Sequence, residues 1–152
     1  MDDQWYFAYG SNLSTDQKER RTGTIRKAIR ARLDGYRIAF NKRHGDGSGK
    51  ANIVRDVPRT VWGVVYRCTP AALCEMDMHE GVAGGHYRRR YVRVRCDPGD
   101  DLQAVTYVAG ESFLDDSLVP TVDYLQTILR GGTMPRSSGG LHPRNGKCGD
   151  SR

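Results

Sequence analysis

The chain has 152 residues and a formal charge of +6, with 38% hydrophobic and 28% charged residues. That composition suits one folded domain with a core of its own and argues against wholesale disorder. No apolar run approaches the roughly 20 residues of a membrane helix, and Met1 to Gln4 lack the basic start and apolar stretch of a secretory leader, so a cytoplasmic protein without membrane contact is expected.

Gln4 to Tyr9 (QWYFAY) reads as a short buried strand, broken by Gly10-Ser11-Asn12. Ser14 or Thr15 then caps a short helix through Arg21. Thr24 to Leu33 and Tyr36 to Lys42 read as two extended segments around Asp34-Gly35, a hairpin-turn dipeptide. Arg43 to Lys50 (RHGDGSGK) is a Gly-rich loop, and its Gly45-Asp46-Gly47-Ser48-Gly49 run lacks the lysine and helix of a phosphate loop. Ala51 to Arg55 is a short strand punctuated by Pro58, and Val61 to Cys68 (VWGVVYRC) is a nearly all-apolar one.

Thr69-Pro70 predicts a helix start, with Thr at the cap and Pro at the first helical position; the helix ends near Glu80-Gly81. Tyr87 to Cys96 alternates as a strand with an Arg-rich face, and Leu102 to Ala109 is another strand. Pro120 starts a helix through Arg130. Residues 133–152 are Gly-, Ser- and Arg-rich and read as a mobile tail behind a domain spanning 1–132. Strands without regular helical crossovers favour an α+β fold, a small mixed β-barrel with peripheral short helices.

Four cysteines without CxxC spacing predict small fillers or surface thiols, not a metal site. His79-Glu80 with His86 does not have the spacing of a zinc-binding helix. The Arg88-Arg89-Arg90 run, with Arg93, Arg95 and the interleaved Tyr87 and Tyr91, could read nucleic acid, yet a solvated strand face explains it as well and no nucleic-acid-binding signature accompanies it.

Two stretches point to chemistry. A strand stopping at Gly10-Ser11-Asn12 before a helix leaves backbone N–H groups unpaired, and such groups attract an anion or a developing oxyanion. Glu80 sits at a helix C-terminus, where the dipole disfavours an anion, so burial there would raise its pKa toward the range a general base needs. A capped turn and an exposed Glu beside a C-cap Gly are the plain alternatives.

Taken in order, Tyr6-Phe7-Ala8-Tyr9-Gly10-Ser11-Asn12-Leu13, Ala31 to Tyr36 with Phe40-Asn41, Val61 to Tyr66, Asp77 through Glu80-Gly81-Val82 with Gly85 and Tyr87, and Pro120 with Tyr124-Leu125 resemble the γ-glutamylcyclotransferase (AIG2-like) family. The resemblance covers residues 4–132. It implies a small β-barrel with a central cavity and conversion of a γ-glutamyl amide into 5-oxoproline and a free amine, with no metal or other cofactor. Glu80 matches the family's essential carboxylate. Tyr6, Phe7, Ala8, Tyr9, Gly10, Ser11 and Asn12 match the substrate-holding loop, and Tyr87 and Tyr124 match tyrosines lining the pocket. The chain departs from the family after Gly131-Gly132, where a Gly/Ser/Arg-rich stretch stands in place of a further helix. Removal of a γ-glutamyl protecting group from a secondary metabolite is the rival within the fold. A binding module for nucleic acid or protein is the rival outside catalysis. The leaving amine and the oligomeric state stay open.

Overall fold

The computed structural model describes residues 2–13, 15–23, 27–97 and 99–137. Five strands, β1 (Gln4–Ala8), β2 (Ala28–Arg43), β3 (Gly49–Cys68), β4 (Tyr87–Cys96) and β5 (Asp101–Ala109), close into a barrel in the order β1-β3-β2-β4-β5. Among the described residues three α-helices lie around it: α1 (Thr15–Thr22), α2 (Pro70–His79) and α3 (Val122–Ser137). No helix among the described residues is long and apolar enough to cross a membrane.

The β2–β3 hairpin differs from the sequence reading. Asp34-Gly35 does not turn the chain. β2 runs straight through it, pairing Asp34 with Thr60 and Tyr36 with Arg55. Gly35 adopts φ +87, a left-handed conformation open to a residue without Cβ, and absorbs a bulge where 56–59 of β3 loop out opposite it. The reversal falls instead at His44–Ser48, in the Gly-rich segment. There the His44 N–H donates to the Ser48 carbonyl at 2.9 Å, and the Asp46 carboxylate accepts from the Ser48 N–H and hydroxyl. A second bulge sets Phe40 and Asn41 of β2 opposite Ala51 alone, between the pairs Ala39–Asn52 and Lys42–Lys50.

β1 alternates between two cores, as strand periodicity requires. Trp5 and Phe7 join Ile29, Ala31, Val65, Val94 and Val108, a cluster drawn from all five strands that fills the barrel interior. Tyr6 and Ala8 face the other way, packing with Tyr66, Val105 and Tyr107 against Leu73 and Met76 of α2. α2 begins as the sequence predicts, with the Thr69 hydroxyl accepting from the Ala72 N–H and Pro70 at the first position. It stops at Glu80 because Gly81 enters the left-handed region at φ +65. α3 starts two residues later than expected, with the Thr121 hydroxyl capping the Tyr124 N–H, and runs to Ser137, past the boundary at Arg130 read from the sequence. The candidate caps Ser14 and most of the proposed tail lie outside the described residues.

Candidate active site

The barrel interior is filled, so the hollow lies beside it, where β1 ends and the tips of α1, α2, β4 and α3 meet. The cavity has a volume of about 440 Å³. Tyr6, Tyr9, Gly10, Ser11, Asn12, Glu80, Tyr87 and Tyr124 all line it. Phe7 and Ala8 do not. Phe7 is fully buried in the barrel interior and Ala8 packs toward α2, so of the YFAYGSN stretch these two support the site from behind.

The turn after β1 is a single 3-10 turn, Ser11–Leu13, whose closing bond runs from the Leu13 N–H to the Gly10 carbonyl at 3.0 Å. The N–H groups of Ser11 and Asn12 therefore have no acceptor within the turn. Side chains hold it in place. Asn12 is buried; its amide donates to the Tyr6 hydroxyl at 2.9 Å, and its carbonyl accepts from the Tyr66 hydroxyl at 2.7 Å. Gln17 of α1 donates to the Ser11 hydroxyl at 2.6 Å. A Cβ on residue 10 would lie 3.2 Å from Ala51 Cβ and 3.5 Å from the Tyr124 hydroxyl, so the turn sits hard against the far wall.

Glu80 faces this turn. Its side chain is 14% exposed, with Oε2 3.4 Å from Arg21 Nη1. Burial pushes its carboxyl up to about 7, against the opposing pull of the Arg21 and Lys42 cations and with a small push from Asp77. The tyrosines around it stay neutral: burial raises Tyr6, Tyr9 and Tyr87 well above the ordinary phenol value and Tyr124 to about 12. Tyr87 and Tyr124 grip one peptide unit from both sides. The Tyr87 hydroxyl donates to the Ala51 carbonyl at 2.7 Å, and the Tyr124 hydroxyl accepts from the Ala51 N–H at 2.9 Å.

Several wall residues escape a reading by motif. Arg21, Gln17, Lys42, Lys50, Thr106 and Tyr107 line the cavity from separate elements, and nothing in their local sequence marks them. Two arginines of the Arg strand, Arg89 and Arg95, are engaged in ion pairs. Arg89 makes two 2.9 Å hydrogen bonds to Asp77, which also accepts from the Tyr107 hydroxyl at 2.6 Å, and Arg95 pairs with Asp101 at 3.3 Å. Asp77 thereby ties α2 to β4 and β5 beneath the acid that follows it.

What this arrangement can do is move one proton near neutral pH, in a pocket that largely buries the acid, beside amides that can stabilise a negative oxygen. The model of a family described as "Gamma-glutamyl cyclotransferase, AIG2-like" matches residues 6–126. Human and bovine proteins, both named γ-glutamylcyclotransferase, are 30% identical to this chain over 131 residues, spanning 83% of it and 68% of their own length. A solved structure described as a γ-glutamyl cyclotransferase superposes with a TM-score of 0.80 at 26% identity, covering 87% of this chain and 79% of its own.

Proposed function

The chain belongs to the AIG2-like γ-glutamyl cyclotransferase family and is an enzyme, and from that premise we propose that it converts a γ-glutamyl amide into 5-oxoproline and a free amine, with Glu80 carrying the proton. A carboxyl group titrating at about 7 in the same cavity as the Gly10–Asn12 turn supports this reading best.

The substrate's α-ammonium is no nucleophile until it loses a proton. The Glu80 carboxylate takes that proton. The freed amine attacks the γ-carbonyl carbon of the same molecule, a C–N bond forms, and the carbonyl electrons move onto oxygen. The Ser11 and Asn12 N–H groups are the donors for that oxyanion; one such donor is typically worth about 3–4 kcal/mol. Glu80 then returns its proton to the departing nitrogen, the oxyanion electrons re-form the carbonyl as the original C–N bond breaks, and the amine leaves, taking up the second proton that the attacking nitrogen sheds in becoming the 5-oxoproline amide. One carboxyl group serves both steps because both nitrogens are bonded to the same carbon. Folding the chain so that its amine meets its own carbonyl supplies much of the acceleration, since well-oriented intramolecular groups contribute roughly 7–11 kcal/mol. The tyrosine walls, uncharged across the working pH range, fix that folded shape without competing for the proton.

The test is mass-spectrometric detection of 5-oxoproline from a panel of γ-glutamyl amides of increasing leaving-amine size, with the wild type and Glu80→Gln. Loss of roughly 10²- to 10⁴-fold in kcat with the fold retained is expected for removal of a general base. Near-normal turnover in the variant overturns the role of Glu80, and salt-dependent retention on nucleic acid without turnover overturns the enzyme reading.

A further inference from the structure

Lys42 is only 4% exposed, yet it lines the cavity. The β2 bulge at Phe40-Asn41 precedes it and sets its register against β3. Its Nζ lies 2.8 Å from His86 Nδ1, 4.8 Å from the centre of the Phe113 ring and 5.3 Å from that of Tyr87. An ammonium group only donates, so the His86 nitrogen accepts and its ring is neutral. His86 is itself fixed by stacking on Phe113 at 4.0 Å.

Among the described residues no carboxylate lies within ion-pair distance of Lys42. Glu80, the acid of this cavity, pairs with Arg21 instead. The charges that act on Lys42 through space are Glu80, which favours its ammonium form from beyond ion-pair distance, and two further cations, Lys50 and Arg43, which oppose it. A buried ammonium with one neutral hydrogen-bond partner, two aromatic faces and a nearest carboxylate already paired with Arg21 has no direct ion-pair partner of its own, which a buried cation requires. Such a group, built into the wall of a ligand cavity, is placed to receive an anion from outside.

We propose that Lys42 is a specificity-determining residue of this enzyme, its ammonium group binding a carboxylate of the substrate while His86 positions it. The inference rests on the cyclotransferase reading above, which supplies two sources of that carboxylate: the α-carboxylate of the γ-glutamyl group and a carboxylate on the leaving amine.

Two substrates separate the sources. γ-Glutamyl-ethylamide carries the α-carboxylate alone, and γ-glutamyl-L-alanine adds one on the leaving side. Lys42→Met keeps the length of the side chain and removes the charge; Lys42→Arg keeps the charge. In Lys42→Met, KM rises roughly 10- to 100-fold, the scale of a lost charged hydrogen bond, with a smaller change in kcat and a melting temperature no lower than the wild type's. Lys42→Arg recovers part of the loss. A rise on both substrates assigns the α-carboxylate, and a rise on γ-glutamyl-L-alanine alone assigns the leaving group. Unchanged KM on both in a folded Lys42→Met overturns the proposal. Calorimetric titration of the same two amides into Glu80→Gln, with and without Lys42→Met, reads binding without turnover: equal affinities overturn the role of Lys42. Absence of 5-oxoproline from the wild type overturns the cyclotransferase reading instead.

Discussion

Arg21 Nη1 stands 3.4 Å from Glu80 Oε2 and 3.3 Å from Asn12 Oδ1, so a single guanidinium from α1 ties the acid at the end of α2 to the turn at the end of β1. It also opposes the effect of burial on Glu80, and Asp77 reinforces that effect. Glu80 must be ionised to accept the substrate's proton, so kcat/KM rises with pH through about 7. Arg21→Met removes a stabilising cation and moves that rise to higher pH. Asp77→Asn removes a repelling anion and moves it to lower pH. Profiles of kcat/KM from pH 5 to 9 check both, and shifts in the same direction would contradict the electrostatic assignment.

Glu80 also costs stability. Its carboxyl titrates at about 7 when folded and near 4.5 when exposed. Between these values the folded chain holds a proton that the unfolded chain has lost, so stability falls as pH rises across that window. The whole penalty, about 3 kcal/mol, is in place above pH 7. Glu80→Gln carries no such charge. Urea denaturation should find the inactive variant more stable than the wild type at pH 8, by up to that amount, with the gain shrinking toward pH 5.

Tyr124→Phe leaves the Ala51 N–H without its partner, in a residue only 3% exposed. An unsatisfied buried donor costs roughly 1–3 kcal/mol. Tyr87→Phe strips the carbonyl of the same residue, at a similar cost. Because both variants loosen one peptide unit, the double variant should lose less than the sum of the two, which a double-mutant cycle in urea measures.

Gly81→Ala puts a Cβ at φ +65, where a side chain costs about 1–2 kcal/mol. That Cβ would also meet His86 Cδ2 at 2.9 Å. A lower melting temperature is expected, together with a raised KM, since the ring that holds Lys42 must shift. A lowered melting temperature with KM unaltered would show that His86 does not transmit the change.

Helix α2, the β4 and β5 strands and the Glu80-Gly81 stop are legible because their signals are local: a Thr-Pro start, strict alternation, a glycine after the acid. Asp34-Gly35 misleads for the same reason. The dipeptide encodes a left-handed residue, and only the long-range pairing of β2 with β3 decides whether that residue reverses the chain or relieves a bulge. Phe7 and Ala8 sit inside a contiguous motif, yet strand alternation turns Phe7 from the cavity that Tyr6 lines, and Ala8, on the same face as Tyr6, packs toward α2. Arg21 and Lys42 are not legible at all. Nothing near them in the sequence distinguishes them from the other basic residues, and they become wall residues only when α1 and the β2 bulge are brought alongside Glu80.

The barrel is joined into a ring by parallel pairing of β1 with β5 at Tyr6 and Val105, helped by the Thr106 hydroxyl donating to the Phe7 carbonyl at 2.8 Å. Tyr6 and Thr106 belong to the reaction chamber as well. The clasp of the ring and the wall of the chamber are thus the same few residues. Any breathing that parts the clasp distorts the chamber, and a molecule filling the chamber braces the clasp, so occupancy should slow amide exchange along β1 and β5 before it does so elsewhere in the sheet.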